Sequence, residues 1–475
     1  MNERYYELSA AFDAAGQGHV FRFWKDLNPA QREGLLEDAA AIDLVEVESL
    51  CQRFLSGAVL AVDTSDLKGA PFRPVPAHGG SSADWAGAER VGEVALREGR
   101  VACFTVAGGQ GTRLGYDGPK GAYPVTPIRQ KPLFQVFAEK ILAARRRSGA
   151  AIPWFIMTSR QNHDQTQAFF EKNDWFGLGQ TSVFLFRQGM MPAVDHNGKI
   201  LLESPCRIAL SPDGHGGSLR ALVRSGATER MRRMGIDLIS YFQVDNPLVH
   251  CVDPSFIGFH LLGESELSSK ALLKTDPAEK VGHFCLRGNQ MCVVEYSDLP
   301  KDLAEKRAPD GRLEFCAGSI AIHVFSRALV ERLGGGAQER LLPFHRADKK
   351  VATIDAAGNP VKPEKPNGVK FEMFVFDAIE HAKKPVVIET LREEEFSPVK
   401  NAQGSDSPQT CRDDQLRQSV RWLHAAVCPV PTDKQGLPPH PVEISPLFAD
   451  SQTALWEKRD RLHNLDFTQP LYLGE

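Results

Sequence analysis

The sequence predicts an α/β protein built on an open, mostly parallel β-sheet. Three observations carry this. Short apolar runs alternate with helical stretches through the middle of the chain. The runs are β-branched or aromatic and nearly apolar on both faces, as suits central strands covered by helices on either side. Glycine-rich turns follow some of them, at the sheet edge where such folds bind ligands.

Taken in order, the first 68 or so residues read as helix. Asn28-Pro29 is a helix start: a capping side chain, then a proline whose missing N–H costs nothing at the first helical position. Leu35, Leu36, Ala39, Leu44 and Leu50 follow at helical spacing. Residues 69–84, rich in Pro, Gly and Ser, read as a surface connector. Strands are expected at 101–106 (VACFTV), 153–158 (PWFIMT), 182–186 (SVFLF) and 238–244 (LISYFQV), with helices over 133–147 and 218–234. From about residue 391 the chain is looser and richer in proline, and 401–409 reads as a mobile polar loop. Arg145-Arg146-Arg147 complements a helix dipole, and Glu393-Glu394-Glu395 reads as a solvated face.

Composition bounds the function. The chain has 475 residues, 42% hydrophobic and 24% charged, which excludes a disordered or fibrous protein. A net charge of -4 argues against nucleic acid as a partner, since no large basic field exists. No apolar run is long enough to span a bilayer, and no secretory signal opens the sequence. Nine scattered cysteines without a CxxC pair fit reduced, mostly buried thiols and a cytoplasmic location.

Chemistry concentrates after the strands. Ala107-Gly108-Gly109-Gln110-Gly111-Thr112-Arg113-Leu114-Gly115 follows the first run. It lacks the Lys-Ser/Thr of a Walker loop and reads GxGxxL rather than GxGxxG, so the dinucleotide reading fails on the residues themselves. A structural turn and an anion-binding loop both stay open. Arg113 and Lys120 beside the glycines would oppose a polyphosphate's charge. Asp245, directly after the run at 238–244, stands where a carboxylate could hold Mg²⁺ together with substrate phosphates, or simply cap a turn. SPDGHGG at 211–217 is a second glycine-rich turn. Lys370 and Lys400 lie in proline-bounded segments further on. HExxH spacing and a G-x-S-x-G elbow are both absent.

Together these motifs resemble the UDP-N-acetylglucosamine pyrophosphorylase group of UTP-dependent sugar-1-phosphate uridylyltransferases. The likeness runs in order through AGGQGTRLG, PKG, MTS (157–159), QGMMPA (188–193), PDGHGG, VDN (244–246), VEYS (294–297), KPNGVKFEMFVFD (365–377), SPVKNA (397–402) and VEISPLF (442–448). The resemblance implies a helical N-terminal region with its linker (1–95), a Rossmann-like nucleotidyltransferase domain (96–390) and a C-terminal segment with a small domain of β-helix character (391–475). It implies that UTP and a sugar 1-phosphate give UDP-sugar and pyrophosphate with Mg²⁺. N-acetylglucosamine 1-phosphate is the lead substrate. The alternatives are glucose or galactose 1-phosphate and, further off, an inactive nucleotide-sugar-binding homologue. The oligomeric state is not assigned.

By the same resemblance, Gly108 and Gly109 hold the nucleotide through their backbone, and Gln188 and Gly214 read uracil. Arg113, Lys120, Lys370 and Lys400 serve the phosphates, and Asp245 holds the metal. Glu295, His215, Cys316 and Ser319 fall to the sugar. Three of these depart from the family, at two motifs: it has PDGNGG where this chain has His215, and NAGN where this chain reads Cys316-Ala317-Gly318-Ser319. An amide offers a donor and an acceptor to an acetamido group, and a thiol only weak ones. Sites built on a substrate hydrogen bond discriminate by roughly 10⁴-fold, so the preferred sugar is the open question.

Overall fold

A ten-stranded sheet organises the larger part of the computed structural model, which describes residues 2–55, 64, 66–335 and 342–474. By contact the chain separates into two units, each drawn from three stretches of sequence. One comprises 1–62, 188–220 and 338–377, and the other 63–187, 221–337 and 378–475.

The sheet belongs to the second unit. Its strands are β1 (Leu67–Gly69), β2 (Val101–Val106), β3 (Trp154–Thr158), β4 (Val183–Arg187), β5 (Leu238–Gln243), β6 (Leu267–Leu273), β7 (Gly282–Arg287), β8 (Gln290–Val294), β9 (Ala317–Ser326) and β10 (Val386–Glu389). The main path runs β1-β7-β9-β5-β2-β3-β4, with β6 joining β9 to β10 and β8 pairing with β7. The four strands read from the sequence are β5, β2, β3 and β4, and they pair in parallel. Beyond them β9 turns the pairing antiparallel. β2 is buried from Val101 to Thr105: Val101 and Cys103 share a core with helix Leu133–Ser148, and Phe104 meets Phe186 of β4 and Tyr241 of β5. Helix Leu133–Ser148 lays Phe134, Phe137 and Ile141, all fully buried, against Trp154 and Phe242. Trp154 keeps its indole N–H satisfied by donating to Thr105 Oγ1 at 2.7 Å. Truncating Phe137 to Ala would cost about 3–5 kcal/mol here.

Several expectations need correcting. The stretch 69–84 is not a plain surface connector: β1 edges the sheet, and Arg73 bridges to Ile388. The helix expected over 218–234 is two, Gly217–Arg224 and Ala227–Arg233, parted at Gly226, whose φ of 76° breaks the α-geometry. The polar loop 401–409 is a hydrogen-bonded turn, with Lys400 and Asn401 N–H both donating to Asp406 O. Its last residues, Ser407 and Pro408, cap and open helix Pro408–Ala425. Arg145 does more than meet a dipole, since it donates to the carbonyls of Ile152 and Leu178 and so ties its helix to the chain that follows. In the C-terminal segment one parallel pair, Val442–Ile444 with Leu471–Leu473, stands where β-helix character was expected.

The first unit begins with helices Asn2–Ala14, Pro29–Ala40 and Leu44–Leu55. Asn28 makes the expected cap, reciprocated by Gln31. The helical reading of the first 68 residues holds as far as 55, while 56–63 and 65 lie outside the described residues. Asp38, fully buried, accepts a bidentate pair from Arg207 and the N–H of Ile208. That bond draws the N-terminal helices onto the segment carrying the SPDGHGG turn.

Candidate active site

In the second unit, the backbone after β2 folds back on itself as a glycine loop. Gly111 N–H donates to Gly118 O at 2.9 Å, and Lys120 N–H donates to Gly109 O at 3.1 Å. The turn carries Arg113 at its tip, exposed and without a partner among the described residues. Lys120 returns to the base of the loop, where its ammonium lies 3.4 Å from Asp245 Oδ2. Asp245 itself follows β5, so adjacent parallel strands deliver the loop and the carboxylate to one end of the sheet.

Asp245, Glu295, Ser319 and Lys400 line a single cavity of about 150 Å³, together with Lys280 and Gly282. Four of the candidates therefore meet, although they lie on four separate stretches of chain. Cys316, at the entry to β9, is buried and does not line this cavity. Its carbonyl accepts the N–H of Lys274 at 2.8 Å, and burial raises its thiol pKa. Lys400 is held by its approach. Asn246 donates to Glu395 O at 2.6 Å and accepts from Ser397 N–H at 3.0 Å. Val399 N–H donates to Asp245 O at 2.8 Å. The lysine then lies 5.6 Å from the Phe396 ring centre.

In the first unit, Gln188 Nε2 donates to Gly214 O at 2.8 Å and to Asp213 Oδ1 at 3.2 Å. The SPDGHGG turn is strapped to residues 371–375. Met373 N–H donates to Asp213 O, and Gly216 N–H donates to Met373 O, both at 2.8 Å. Gly214 has φ +83°, and a Cβ there would stand 2.3 Å from Met373 O, so no other residue fits. His215 accepts the Val375 N–H on Nδ1 at 3.1 Å. The neutral ring therefore carries its proton on Nε2 and offers that single donor outward. Burial, and then His345, push its pKa down to about 4. Phe374 stacks on it at 5.4 Å. Lys370, on strand Gly368–Met373, is half-buried and has no partner among the described residues.

A family model described as UTP–glucose-1-phosphate uridylyltransferase matches residues 87–406. The chain belongs to that family. A UDP-N-acetylhexosamine pyrophosphorylase-like protein 1 from Xenopus tropicalis is 39% identical over 463 residues, covering 92% of this chain and 90% of its own. The UDP-N-acetylglucosamine pyrophosphorylase of Saccharomyces cerevisiae is 35% identical, covering 87% of this chain and 90% of its own. The fold agrees with the crystal structure of the uridine diphosphate N-acetylglucosamine pyrophosphorylase from Trypanosoma brucei in complex with inhibitor. That comparison gives a TM-score of 0.83 at 27% identity, over 100% of this chain and 99% of that one.

Two features of this uridylyltransferase-family chain escape a reading of motifs. Glu395 is no solvated residue. It is 2% exposed and, with Asp253, grips the ammonium of Lys270, itself 2% exposed. Burial alone would lower that ammonium's pKa, but the two carboxylates outweigh it and hold the pKa above the usual value. His250 lies beside them, and His250, Asp253 and Glu395 are spaced as metal ligands could be. Lys270 supplies the cation there. The second feature is Asn162, fully buried and bonded to the glycine loop. Neither announces itself locally: Asn162 sits in the polar run 159–165 and Glu395 closes a run of three glutamates.

Proposed function

We propose that this chain transfers a uridylyl group from UTP to a sugar 1-phosphate, releasing pyrophosphate, with N-acetylglucosamine 1-phosphate as the substrate. The observation that carries the reading is the convergence of Asp245, Glu295, Ser319 and Lys400 on one cavity beside the glycine loop, in a chain of this family. The named relatives support the choice of sugar. The unpaired cysteines support a reducing compartment such as the cytoplasm. Among the described residues, no helix is long and apolar enough to cross a membrane.

The chemistry asks for positioning and charge. A sugar phosphate is already an anionic nucleophile, so no general base is needed. Its oxygen must approach the α-phosphorus in line with departing pyrophosphate, against charge repulsion. Arg113, Lys120, Lys370 and Lys400 are the groups we assign to that repulsion and to the charge growing on the leaving group. Gly108 and Gly109 would hold the nucleotide through the backbone, and Gln188 and Gly214 would read uracil. Glu295 accepts from sugar hydroxyls, Ser319 lies beside it in the cavity, and His215 donates through Nε2–H. Cys316 has no sugar contact in this assignment.

Asp245 fits Mg²⁺ as its one protein carboxylate, with phosphate oxygens completing the shell. It is half-buried at the strand end, beside the Lys120 ammonium. When bound, the ion supplies positive charge against phosphate oxygens.

The test is pyrophosphate release from UTP and Mg²⁺ with N-acetylglucosamine, N-acetylgalactosamine, glucose and galactose 1-phosphates. We expect N-acetylglucosamine 1-phosphate to be used best. Lys400→Ala should lower kcat by about a hundredfold or more. A glucose or galactose preference would reassign the sugar, and no release with any sugar would leave only nucleotide-sugar binding.

A further inference from the structure

The glycine loop is shaped from behind by one amide. Asn162 is fully buried, and all its hydrogen-bonding capacity is spent. Oδ1 accepts from Ser159 N–H at 2.8 Å and from Ser159 Oγ at 3.1 Å. The backbone donor fixes which end of the amide is oxygen, so the nitrogen faces the loop. Nδ2 donates to Ala107 O at 2.9 Å and to Gly109 O at 3.1 Å. Gly109 O takes a second donor, Lys120 N–H.

These bonds set the direction of two peptide planes. In a trans peptide the C=O of one residue and the N–H of the next point opposite ways. Holding Ala107 O and Gly109 O toward Asn162 turns Gly108 N–H and Gln110 N–H away from it. Neither N–H has a partner among the described residues. Glycine at 108 and 109 leaves both planes free to flip, so something must choose the orientation. Two backbone donors aimed the same way form an anion-binding concavity.

We propose that Asn162 is a positioning residue for the transfer reaction: it locks the loop so that Gly108 N–H and Gln110 N–H face the polyphosphate of the nucleotide. The inference rests on the uridylyl-transfer reading for the nature of the anion. Asn162 touches no substrate and acts through the two peptides. Replacing its nitrogen by oxygen in Asn162→Asp keeps the shape and both bonds from Ser159, but sets a carboxylate oxygen against two carbonyls.

The experiment uses the full chain and inorganic pyrophosphate as probe, by calorimetry, beside steady-state kinetics. Asn162→Asp should bind pyrophosphate about 30-fold more weakly and raise KM for UTP by a similar factor. KM for the sugar 1-phosphate should stay within about twofold. Asn162→Ser, which removes the carboxylate and its repulsion of the two carbonyls, should recover part of the loss. A structural role alone would lower the melting temperature without separating the two KM values, and that result overturns the proposal. Should Asn162→Asp fail to fold, the wild-type chain decides. Its Gly108 and Gln110 amides, followed by NMR, must shift as pyrophosphate is added, and silence from both overturns the proposal. Amides that respond in a protein making no UDP-sugar would refute the reaction and keep the loop assignment. Turnover with an unchanged Asn162→Asp would do the reverse.

Discussion

His215 shows how a side chain's role is set by its backbone partner. With Nδ1 taken by Val375 N–H and burial pushing its pKa to about 4, the ring stays neutral and presents Nε2–H near neutral pH. An asparagine in its place would offer an acceptor as well. His215→Asn should therefore change the ratio of kcat/KM between N-acetylglucosamine and glucose 1-phosphates by about tenfold, toward the acetamido sugar. The same change in a competition assay for Cys316→Asn should be small, because that thiol is buried at the entry to β9, where its residue is held through the bond from Lys274 N–H to its carbonyl. Burial also pushes His260 down to about 4. Between pH 6.5 and 4 the unfolded chain binds protons on both rings that the folded chain does not. Stability must fall as pH drops through that window, by up to about 1.4 kcal/mol per pH unit for each ring. Urea midpoints measured from about pH 7 to pH 5 should show the fall, and His215→Asn should reduce its slope. The sequence located His215 through its glycine-rich surroundings. It could not reveal the tautomer, because Val375 lies 160 residues further along the chain.

Strands and connecting segments extend the argument. β2, β3, β4 and β5 were legible because burial on both faces leaves an almost continuous apolar run. β1, β7 and β8 were not, since Leu67–Gly69 is short and GHFCLR and QMCVV mix polar with apolar residues. The run Glu393-Glu394-Glu395 misled for a related reason: its charges answer partners distant in sequence. Glu394 accepts from Trp422 Nε1 and Arg421, and Glu395 from Lys270 and Thr390. Removing one partner of such a buried set strands the others. Lys270→Met should cost about 3–5 kcal/mol in denaturant unfolding. Lys270→Met with Glu395→Leu should recover part of that loss, whereas an additive loss would show that the two do not act as a pair. Asn246 ties the same segment to the strand end. Asn246→Ala should lower kcat through Lys400 more than it lowers the melting temperature.

Over the whole molecule, the glycine loop after β2, the cations beside it and the order of motifs were legible in the sequence. Local pattern was enough for these, because glycines, lysines and strand ends lie close together in the chain. What it missed was their support, in which Asn162, Asn246 and Lys270 act across long separations. One consequence bears on metal dependence. Chelation should abolish turnover while leaving the melting temperature unchanged, because His250, Asp253 and Glu395 are already served by an ammonium. A melting temperature that falls with chelator would place a structural ion in the molecule. The same ammonium has a bearing on biosynthesis. Lys270 sits in a central strand, and Glu395 follows it by 125 residues. During translation the sheet holds a charge that lacks one of its two carboxylates until that later stretch has left the ribosome. A chain cut short before Glu395 should therefore be less stable and cleaved faster by added protease than the full chain.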